Sequence, residues 1–321
     1  MEWAIGVDGG GTHTRAAIVD ATGVVRGVRM GGRGNFQRIG ATGLQDLLGQ
    51  LLPPLLALAE PNEVSLCLAL AGVGRETEQR QIAAMVECGG WTGRVRVESD
   101  ARAALEGAHA GAPGLIVIAG TGSMVLGRND RDKMVRAGGW GPLLGDEGSG
   151  YSMGLQALRA VTRCLDGSGA DTALVAALAV ELGLEDWDQL VPEVYGGKID
   201  HGCIAALGPA VSNVADCGDA VALHIVDRAG AALAEQVVAV AQRLEMAESV
   251  NLSCIGGVFA EGSLLETALM KAIAPQINGL RLCPAHLPAV LGAVLLAWGR
   301  NGDLPSEEQL ARLRKSRLQG L

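Results

Sequence analysis

The 321-residue sequence has no excess of positive charge. It contains 26 lysines and arginines against 35 aspartates and glutamates, which gives a net charge of −9. A chain with this balance has no global attraction for nucleic acid or for an anionic membrane surface. Because no helix-turn-helix pattern precedes Trp3 either, we expect neither a nucleic-acid partner nor a DNA-binding regulator.

Long apolar runs and paired cysteines are also missing. The first four residues lack the basic and apolar regions of a signal peptide, and Pro53-Pro54, arginine or glutamate interrupts the longest apolar stretches. We therefore expect a cytoplasmic protein of small-molecule metabolism without a membrane span. The seven cysteines include no C-x-x-C pair, which favours scattered buried thiols over disulfides or a metal site.

The N-terminal stretch predicts a β-hairpin with a glycine tip. Ile5 and Val7 alternate with small residues up to Asp8, and a second apolar run at 16–19 follows the glycines at 9–11. Glycines let backbone N–H groups close on a phosphate, because no Cβ keeps the anion away and positive φ is allowed; Thr12 and Thr14 would add hydroxyl donors. A tight turn without a ligand explains a single tip of this kind as well. No G-x-G-x-x-G spacing supports a dinucleotide-binding motif.

A second copy of this pattern favours phosphate binding. A β-branched run at 115–119 leads to Gly120-Thr121-Gly122-Ser123, and the chain returns through residues 124–127. Each tip is predicted to lie in a three-strand meander. The repeat therefore indicates a duplicated α/β domain.

The remaining pattern gives both copies the order βββαβαβα. We predict domains at 1–112 and 113–300, a helical insertion at about 140–249 in the second domain, and a tail helix at 301–321. The expected elements are helices at 41–60 (interrupted by Pro53-Pro54), 76–88, 101–110, 263–274 and 287–300, and strands at 64–71, 94–98, 250–255 and 280–283.

Glycine loops follow strands in both copies, at Gly72 and Gly74 and at Gly256 and Gly257. Ligands of open α/β sheets bind at the carboxyl ends of strands, so we expect an interdomain cleft with a phosphate hairpin on each wall. Asp100 lies at a predicted strand-to-helix junction, whereas the matching place in the second copy is Pro284-Ala285. Asp100 is therefore a candidate base, with a helix N-cap as the alternative.

Five motifs in this order resemble the BadF/BadG/BcrA/BcrD ATPase family, and within it the N-acetylglucosamine kinases. They are Asp-Gly-Gly-Gly-Thr at 8–12, Ser-Asp-Ala at 99–101, Ala-Gly-Thr-Gly-Ser at 119–123, Gly-Trp-Gly-Pro-Leu-Leu-Gly-Asp-Glu-Gly-Ser at 139–149 and Gly-Gly-Val at 256–258. The resemblance implies duplicated ribonuclease-H-like domains of the actin-like ATPase superfamily.

The resemblance also implies a role for each matching residue. ATP phosphates would contact the two hairpins, adenosine the later glycine pair, and Mg²⁺ the first carboxylate, through water. Asp100 would accept the proton of the attacking sugar hydroxyl. The implied sets are Gly10, Gly11, Thr12, Thr121, Gly122, Gly256 and Gly257 for ATP; Asp8 for Mg²⁺; Asp100 for catalysis; and Asn35, Asp100, Gly139, Trp140, Gly141 and Asp146 for the sugar.

Several of these residues have a structural alternative. Asn35 and Asp146 could cap loops, Trp140 could belong to the core, and Glu147 could serve the start of a helix. His13 is expected to point to solvent. Glu98-Ser99 stands before Asp100 where many relatives carry Asn or Thr.

The implied activity is an ATP-dependent amino-sugar kinase that forms the 6-phosphate of N-acetylglucosamine. Glucosamine kinase is the nearest alternative, and an ATPase activator of a radical dehydratase is a second. That activator class bridges an iron–sulfur cluster with cysteines, whereas no paired cysteines lie near the nucleotide motifs here. A homodimer is an expectation from the family alone.

Overall fold

The computed structural model describes residues 3–59, 63–246, 250–259, 262–299 and 305–316. The expected ends of several elements, at Glu60, 247–249, Arg300, 301–304 and 317–321, lie outside these residues. Within them the chain forms two mixed five-stranded sheets with helices, which confirms the predicted duplicated α/β fold.

The first sheet has the strand order β3-β2-β1-β4-β5. Strands β1 to β3 form the predicted antiparallel meander, and β4 and β5 continue the sheet in parallel, each reached through a helix. The elements are β1 (Trp3–Gly9), β2 (Thr14–Val19), β3 (Val25–Gly31), α1 (Phe36–Leu56), β4 (Val64–Leu70), α2 (Glu76–Cys88), β5 (Val95–Ser99) and α3 (Asp100–His109).

Helix α1 runs through the two prolines that were expected to interrupt it. The break in helical geometry instead lies at Gly40, whose φ of 65° is in the left-handed region that glycine tolerates. Beyond it, the leucines at 44, 47, 48, 51, 52 and 55 form one buried face against the sheet.

The second sheet repeats the plan in the order β10-β9-β6-β7-β8. Its meander is followed by the predicted helical insertion before the parallel strands resume. The elements are β6 (Gly114–Ala119), β7 (Ser123–Arg128), β8 (Met134–Gly138), α4 (Gly150–Leu165), α5 (Leu174–Leu182), α6 (Leu190–Tyr195), α7 (His201–Ala206), α8 (Gly208–Asp216), α9 (Ala220–Arg243), β9 (Val250–Ile255), α10 (Leu264–Ile273) and β10 (Leu280–Leu282).

The last two helices, α11 (Ala289–Trp298) and α12 (Glu307–Lys315), belong to the first compact unit. The units comprise residues 1–113 with 284–321, and residues 114–283, so the predicted boundary at 300 was wrong for residues 284–300. The physical reason is close packing of α11. A Cβ on Gly6 would lie 2.5 Å from Val290 O, and one on Gly292 would strike Ala103 O, so both glycines admit this helix against β1 and α3.

Each face of the first sheet is covered by helices. Ile5 and Val7 pack with the α1 leucines, whereas Ala4 packs with α11 on the other face. The predicted tail helix, α12, is amphipathic, and it buries Leu310 and Leu313 in the same cluster as Ala4. Burial on both faces explains the high apolar content of these strands.

The expectation of buried thiols was wrong for most of the cysteines. All seven are free, and Cys67 on β4 is buried, but Cys88, Cys203 and Cys217 are exposed. Cys88 and Cys217 lie at the carboxyl ends of α2 and α8, where a helix leaves the core. In the part of the chain that the structure describes, no helix is both long and apolar enough to span a bilayer.

Candidate active site

The first glycine hairpin joins β1 to β2 through residues 10–13. The N–H of Gly10 donates to His13 O at 3.0 Å, which closes the turn, and the side chain of His13 is exposed as predicted. The hydroxyl of Thr14 is buried and donates to Gly32 O at 2.8 Å. Thr14 therefore holds the hairpin to a neighbouring loop, and the expectation that it adds a free hydroxyl donor was wrong.

The three glycines of this hairpin differ in the space that is available for a side chain. A Cβ on Gly9 would lie 2.6 Å from a methyl group of Leu70, and one on Gly10 would lie 3.2 Å from His13 O. A Cβ on Gly11 would have no protein atom within 4 Å. None of the three adopts a left-handed φ, so the backbone conformation does not require glycine at these positions. At Gly11 the open space is available to a ligand.

The second hairpin, at residues 120–122, repeats this arrangement in the second unit. The N–H of Gly120 donates to Gly122 O at 2.9 Å, and a Cβ on Gly120 would meet nothing within 4 Å. A Cβ on Gly122 would lie 2.9 Å from the carboxylate of Asp146. Each unit thus presents one tip glycine with open space beside its Cα.

Asp8 ends the predicted strand and lies opposite Arg15 in the β1–β2 ladder. Burial, followed by the negative charge of Asp100, raises the pKa of Asp8 to about 6, and the charge of Arg15 opposes this rise. Like charges raise a carboxyl pKa only when they are close. In the parallel ladders Gly9 lies opposite Leu70 and Leu70 opposite Ser99, so Asp8 and Asp100 lie at the same edge of the first sheet.

Asp100 is the first residue of α3 and directly follows β5. Its Oδ1 accepts a hydrogen bond from the Ala101 N–H at 2.8 Å. The helix N-cap is Ser99, whose Oγ accepts from the Arg102 N–H at 3.2 Å. Burial raises the pKa of Asp100, against the opposing effect of backbone N–H groups. The alternative role of Asp100 as the N-cap is thus taken by Ser99.

Asn35 lies at the N-cap position of α1 but makes no side-chain capping bond. Its Oδ1 is buried and has no hydrogen-bond partner among the described residues. A Cβ on Gly72, which has a φ of 78°, would lie 2.8 Å from that oxygen. The glycine loop after β4 therefore makes room for an amide whose acceptor is unsatisfied. Such an acceptor costs stability unless a ligand pairs with it.

The glycine-rich loop after β8 projects large apolar side chains into solvent. Trp140 is 66% exposed, Leu143 91% and Leu144 75%, so Trp140 does not belong to the core, which was its structural alternative. Gly139 and Gly141 on either side of Trp140 have φ values of 69° and 84°, which hold the loop open.

Asp146 is buried and adopts a left-handed φ of 62°, which is uncommon for a residue with a side chain. Its Oδ1 accepts from the Ser123 N–H at 3.2 Å. Burial raises the pKa of Asp146, while the Ser123 N–H and the charge of His201 oppose the rise. The structure therefore brings Asp146 to the second hairpin.

Ser123 connects that hairpin to the loop after β8, a role that the sequence analysis did not assign. Its carbonyl accepts from the Gly139 N–H at 3.0 Å, and its hydroxyl donates to Glu147 O at 2.7 Å. Ser149, rather than Glu147, caps the following helix. The position of Ser123 directly after Gly-Thr-Gly was the available signal.

In the glycine pair after β9, as in the hairpins, one glycine is required by packing and the other has open space beside it. Gly256 has a φ of 122°, and a Cβ there would collide with Ala119 O, so packing requires this glycine. A Cβ on Gly257 would meet nothing within 4 Å. Gly257 is thus the member of the pair with space for a ligand.

Two repeated sheets, each with a glycine hairpin, define a chain with the duplicated fold of actin-like ATPases and sugar kinases. Residues 5–297 match the BadF/BadG/BcrA/BcrD ATPase family, and the chain belongs to that family, which confirms the predicted resemblance.

Named relatives cover nearly the whole chain. It is 30% identical over 306 residues to an N-acetylmuramic acid/N-acetylglucosamine kinase of Clostridium acetobutylicum, covering 92% of this chain and 98% of the relative. It is 30% identical over 308 residues to an N-acetyl-D-glucosamine kinase of Dictyostelium discoideum, covering 91% and 97%. The crystal structure of a candidate N-acetylglucosamine kinase from Chromobacterium violaceum matches with a TM-score of 0.71, 28% identity and coverage of 92% and 99%.

Proposed function

We propose that the protein is an ATP-dependent amino-sugar kinase that phosphorylates the 6-hydroxyl of N-acetylglucosamine. The activity is that of the named relatives, which match over nearly their whole length. The observation that carries the proposal for this chain is the placement of Asp8 and Asp100 at one edge of the first sheet, where the charge of Asp100 raises the pKa of Asp8. Phosphoryl transfer needs such carboxylates near the reacting oxygens, one toward a metal and one toward the nucleophile.

Asp100 is the proposed catalytic base. Ser99 already supplies the helix cap, so the function of the Asp100 carboxylate is not explained by helix capping. Its role is to orient the sugar hydroxyl and to accept the proton as that oxygen bonds to phosphorus. Partial burial limits competition from water for the same carboxylate.

The two glycine hairpins are proposed to bind phosphate groups of ATP. Gly10, Gly11 and Thr12 in one hairpin and Thr121 and Gly122 in the other would donate backbone or hydroxyl hydrogen bonds. The open space beside Gly11 and Gly120 supports this assignment, since no protein atom there requires glycine. Gly257 also has open space beside its Cα, so it is the better supported contact for adenosine. Gly256, which packs against Ala119, would position Gly257.

Asp8 fits the requirements of a Mg²⁺ ligand. Its carboxylate has no hydrogen-bond or ion-pair partner within the described ranges, and it is partly buried beside a second carboxylate. Mg²⁺ prefers one or two carboxylates and keeps several waters. When bound, the metal would neutralise charge on the phosphates.

Asn35 and the loop after β8 are proposed to contact the sugar. The unpaired Oδ1 of Asn35 can accept a hydrogen bond from a sugar hydroxyl. Gly139, Trp140, Gly141 and Asp146 complete the set, with Trp140 offering an exposed apolar surface for a sugar face. Asp146 also holds the second hairpin, so it would link sugar binding to that hairpin.

Phosphorus NMR of the product tests the position of transfer. With N-acetylglucosamine and Mg-ATP, we expect a phosphate-ester signal split by the methylene protons of carbon 6. A signal split by the single proton of carbon 1, or inorganic phosphate alone, would contradict the proposal. Glucosamine as the preferred acceptor would keep the kinase mechanism but change the substrate.

A further inference from the structure

Asn35, whose amide oxygen is unpaired, is followed by one helical turn that is separate from the rest of α1. Residues 36–39 form this turn, which we call the first turn, and Gly40 then breaks the helical geometry with a φ of 65° and a ψ of −172°. A Cβ on Gly40 would meet nothing within 4 Å, so the backbone conformation alone requires glycine there. Because of this break, the leucines that pack later in α1 do not by themselves orient the first turn.

The glycine loop after β4 holds the first turn through Gln37. Nε2 of Gln37 carries two hydrogens, and it donates to Gly72 O and to Glu78 Oε1, both at 3.0 Å. Since both partners are acceptors, they determine which end of the Gln37 amide faces them. The Phe36 N–H donates to Ala71 O at 3.0 Å, which ties the backbone of the first turn to the same loop.

Glu78, near the start of α2, orders the other half of that loop. Its Oε2 accepts from the N–H groups of Gly74 and Arg75, both at 3.1 Å. The N–H groups of Gly74 and of Arg75 lower the pKa of Glu78, so the carboxylate is ionised at neutral pH and accepts charge-assisted hydrogen bonds. One carboxylate therefore joins α2, the glycine loop and the Gln37 side chain.

Gly72 lies between the side chains of Gln37 and Asn35. A Cβ on Gly72 would lie 2.8 Å from Gln37 Cγ and 2.8 Å from Asn35 Oδ1. Asn35 Oδ1 has no hydrogen-bond partner in the part of the chain that the structure describes, so no hydrogen bond to that oxygen orients the amide. The amide instead packs against a loop whose position depends on Gln37 and Glu78.

We propose that Gln37 and Glu78 are positioning residues for sugar binding, which hold the loop after β4 against Asn35 so that its amide oxygen is oriented before a sugar hydroxyl arrives. This inference rests on the proposed kinase function. Holding a contact in its bound orientation lowers the entropy cost of binding. Neither residue contacts the sugar in this proposal, so both act through Asn35.

A double-mutant cycle with Asn35 tests whether Gln37 acts through it. In Gln37→Ala, KM for N-acetylglucosamine should rise about three- to tenfold, while KM for ATP and kcat at saturating sugar stay within about twofold. In the Asn35→Ala background, Gln37→Ala should change KM for the sugar by less than about twofold, since the oxygen that it orients is gone. Gln37→Met, which keeps the length of the side chain without its hydrogen bonds, should match Gln37→Ala.

Glu78→Gln tests the second positioning residue, because one amide oxygen cannot replace both carboxylate oxygens. It should raise KM for the sugar without changing KM for ATP, and this effect should also disappear in the Asn35→Ala background. Gln45→Ala is the matched control, since Gln45 is an exposed amide later in α1 that makes no hydrogen bond within the described ranges. It should change no kinetic constant.

The outcomes distinguish this inference from the proposed function. An unchanged KM for the sugar in Gln37→Ala or in Asn35→Ala would overturn the inference alone. Independent effects of Gln37→Ala and Asn35→Ala, which multiply in the double variant, would overturn it as well. If no sugar stimulates ADP release by the wild-type protein, the proposed function itself is wrong.

Discussion

Ser99 and Asp100 are adjacent in the chain and divide two tasks at the start of α3. Ser99 Oγ accepts the Arg102 N–H and caps the helix, and the Asp100 carboxylate accepts the neighbouring Ala101 N–H. Under the proposed mechanism, Ser99 stabilises the helix and Asp100 acts in catalysis, which makes the two residues a matched pair for mutagenesis.

Asp100→Asn should abolish nearly all turnover with little change in stability. The amide keeps the shape of the side chain and can remain near the Ala101 N–H, but it cannot accept the proton of the sugar hydroxyl. We expect a fall in kcat of at least about a hundredfold with ATP binding retained, measured by ADP release and by nucleotide titration.

Ser99→Ala is the control for that experiment. Loss of the N-cap should lower the free energy of unfolding by about 1 kcal/mol, while kcat changes little. If Asp100→Asn keeps normal turnover, or if both variants lose activity and stability alike, Asp100 is not the base.

The raised pKa of Asp8 predicts a pH-dependent stability in the absence of Mg²⁺ and nucleotide. The pKa of Asp8 in the unfolded chain is near the ordinary value of 3.8, and burial and Asp100 raise it to about 6 in the folded protein. The protonated form is therefore favoured in the fold. Its stabilising effect is full below pH 3.8 and is lost as the pH rises through 6, by up to about 3 kcal/mol.

Asp8→Asn removes this titration and tests it. In urea unfolding, the variant should be more stable than wild type at pH 7.5, and the difference should diminish towards pH 4. The same variant should need more Mg²⁺ for half-maximal turnover, whereas Asp46→Asn on the exposed face of α1 should not. An equal stability difference at both pH values would contradict the assigned electrostatics.

Gly11→Ala should weaken ATP binding without disturbing the fold. A Cβ there meets no protein atom within 4 Å, but it would occupy the space proposed for a phosphate. We expect KM for ATP to rise about tenfold or more, with an unchanged melting temperature. Gly49→Ala, at an exposed helical position with equally open space, should alter neither quantity. An unchanged KM in Gly11→Ala would remove the first hairpin from the nucleotide site.

Asn35→Ala should raise KM for the sugar more than it lowers stability. Its side chain makes no capping bond, and its buried Oδ1 is unpaired in the described structure, so removal costs the fold little. Initial rates over a range of N-acetylglucosamine concentrations measure the effect, which we expect to reach about tenfold in KM. A loss of melting temperature with an unchanged KM would instead indicate a structural role.

Much of the fold follows from periodicity and repeats. The meanders, the helix at 76–88, the strand at 250–255 and the helical insertion were all predicted from apolar spacing and turn residues. The placement of α11 could not be predicted this way, because it depends on Gly6 and Gly292 allowing a close approach of distant segments.

Sequence motifs identified the candidate site residues. The positions that depend on tertiary packing could not be predicted from the sequence. The motifs that carry the family resemblance already singled out Asp8 and Asp100. The position of Asp146 against Ser123 depends on its left-handed backbone and on burial of its side chain, which the local sequence does not reveal. The division between packed Gly256 and open Gly257 likewise required the structure.

The most direct test of the account is ADP release from Mg-ATP with N-acetylglucosamine, glucosamine, N-acetylmannosamine, glucose and no sugar. The account predicts strong stimulation by N-acetylglucosamine and little turnover without sugar. ATP hydrolysis at the same rate with every sugar and with none would contradict it, and would favour an ATPase that acts on a protein partner.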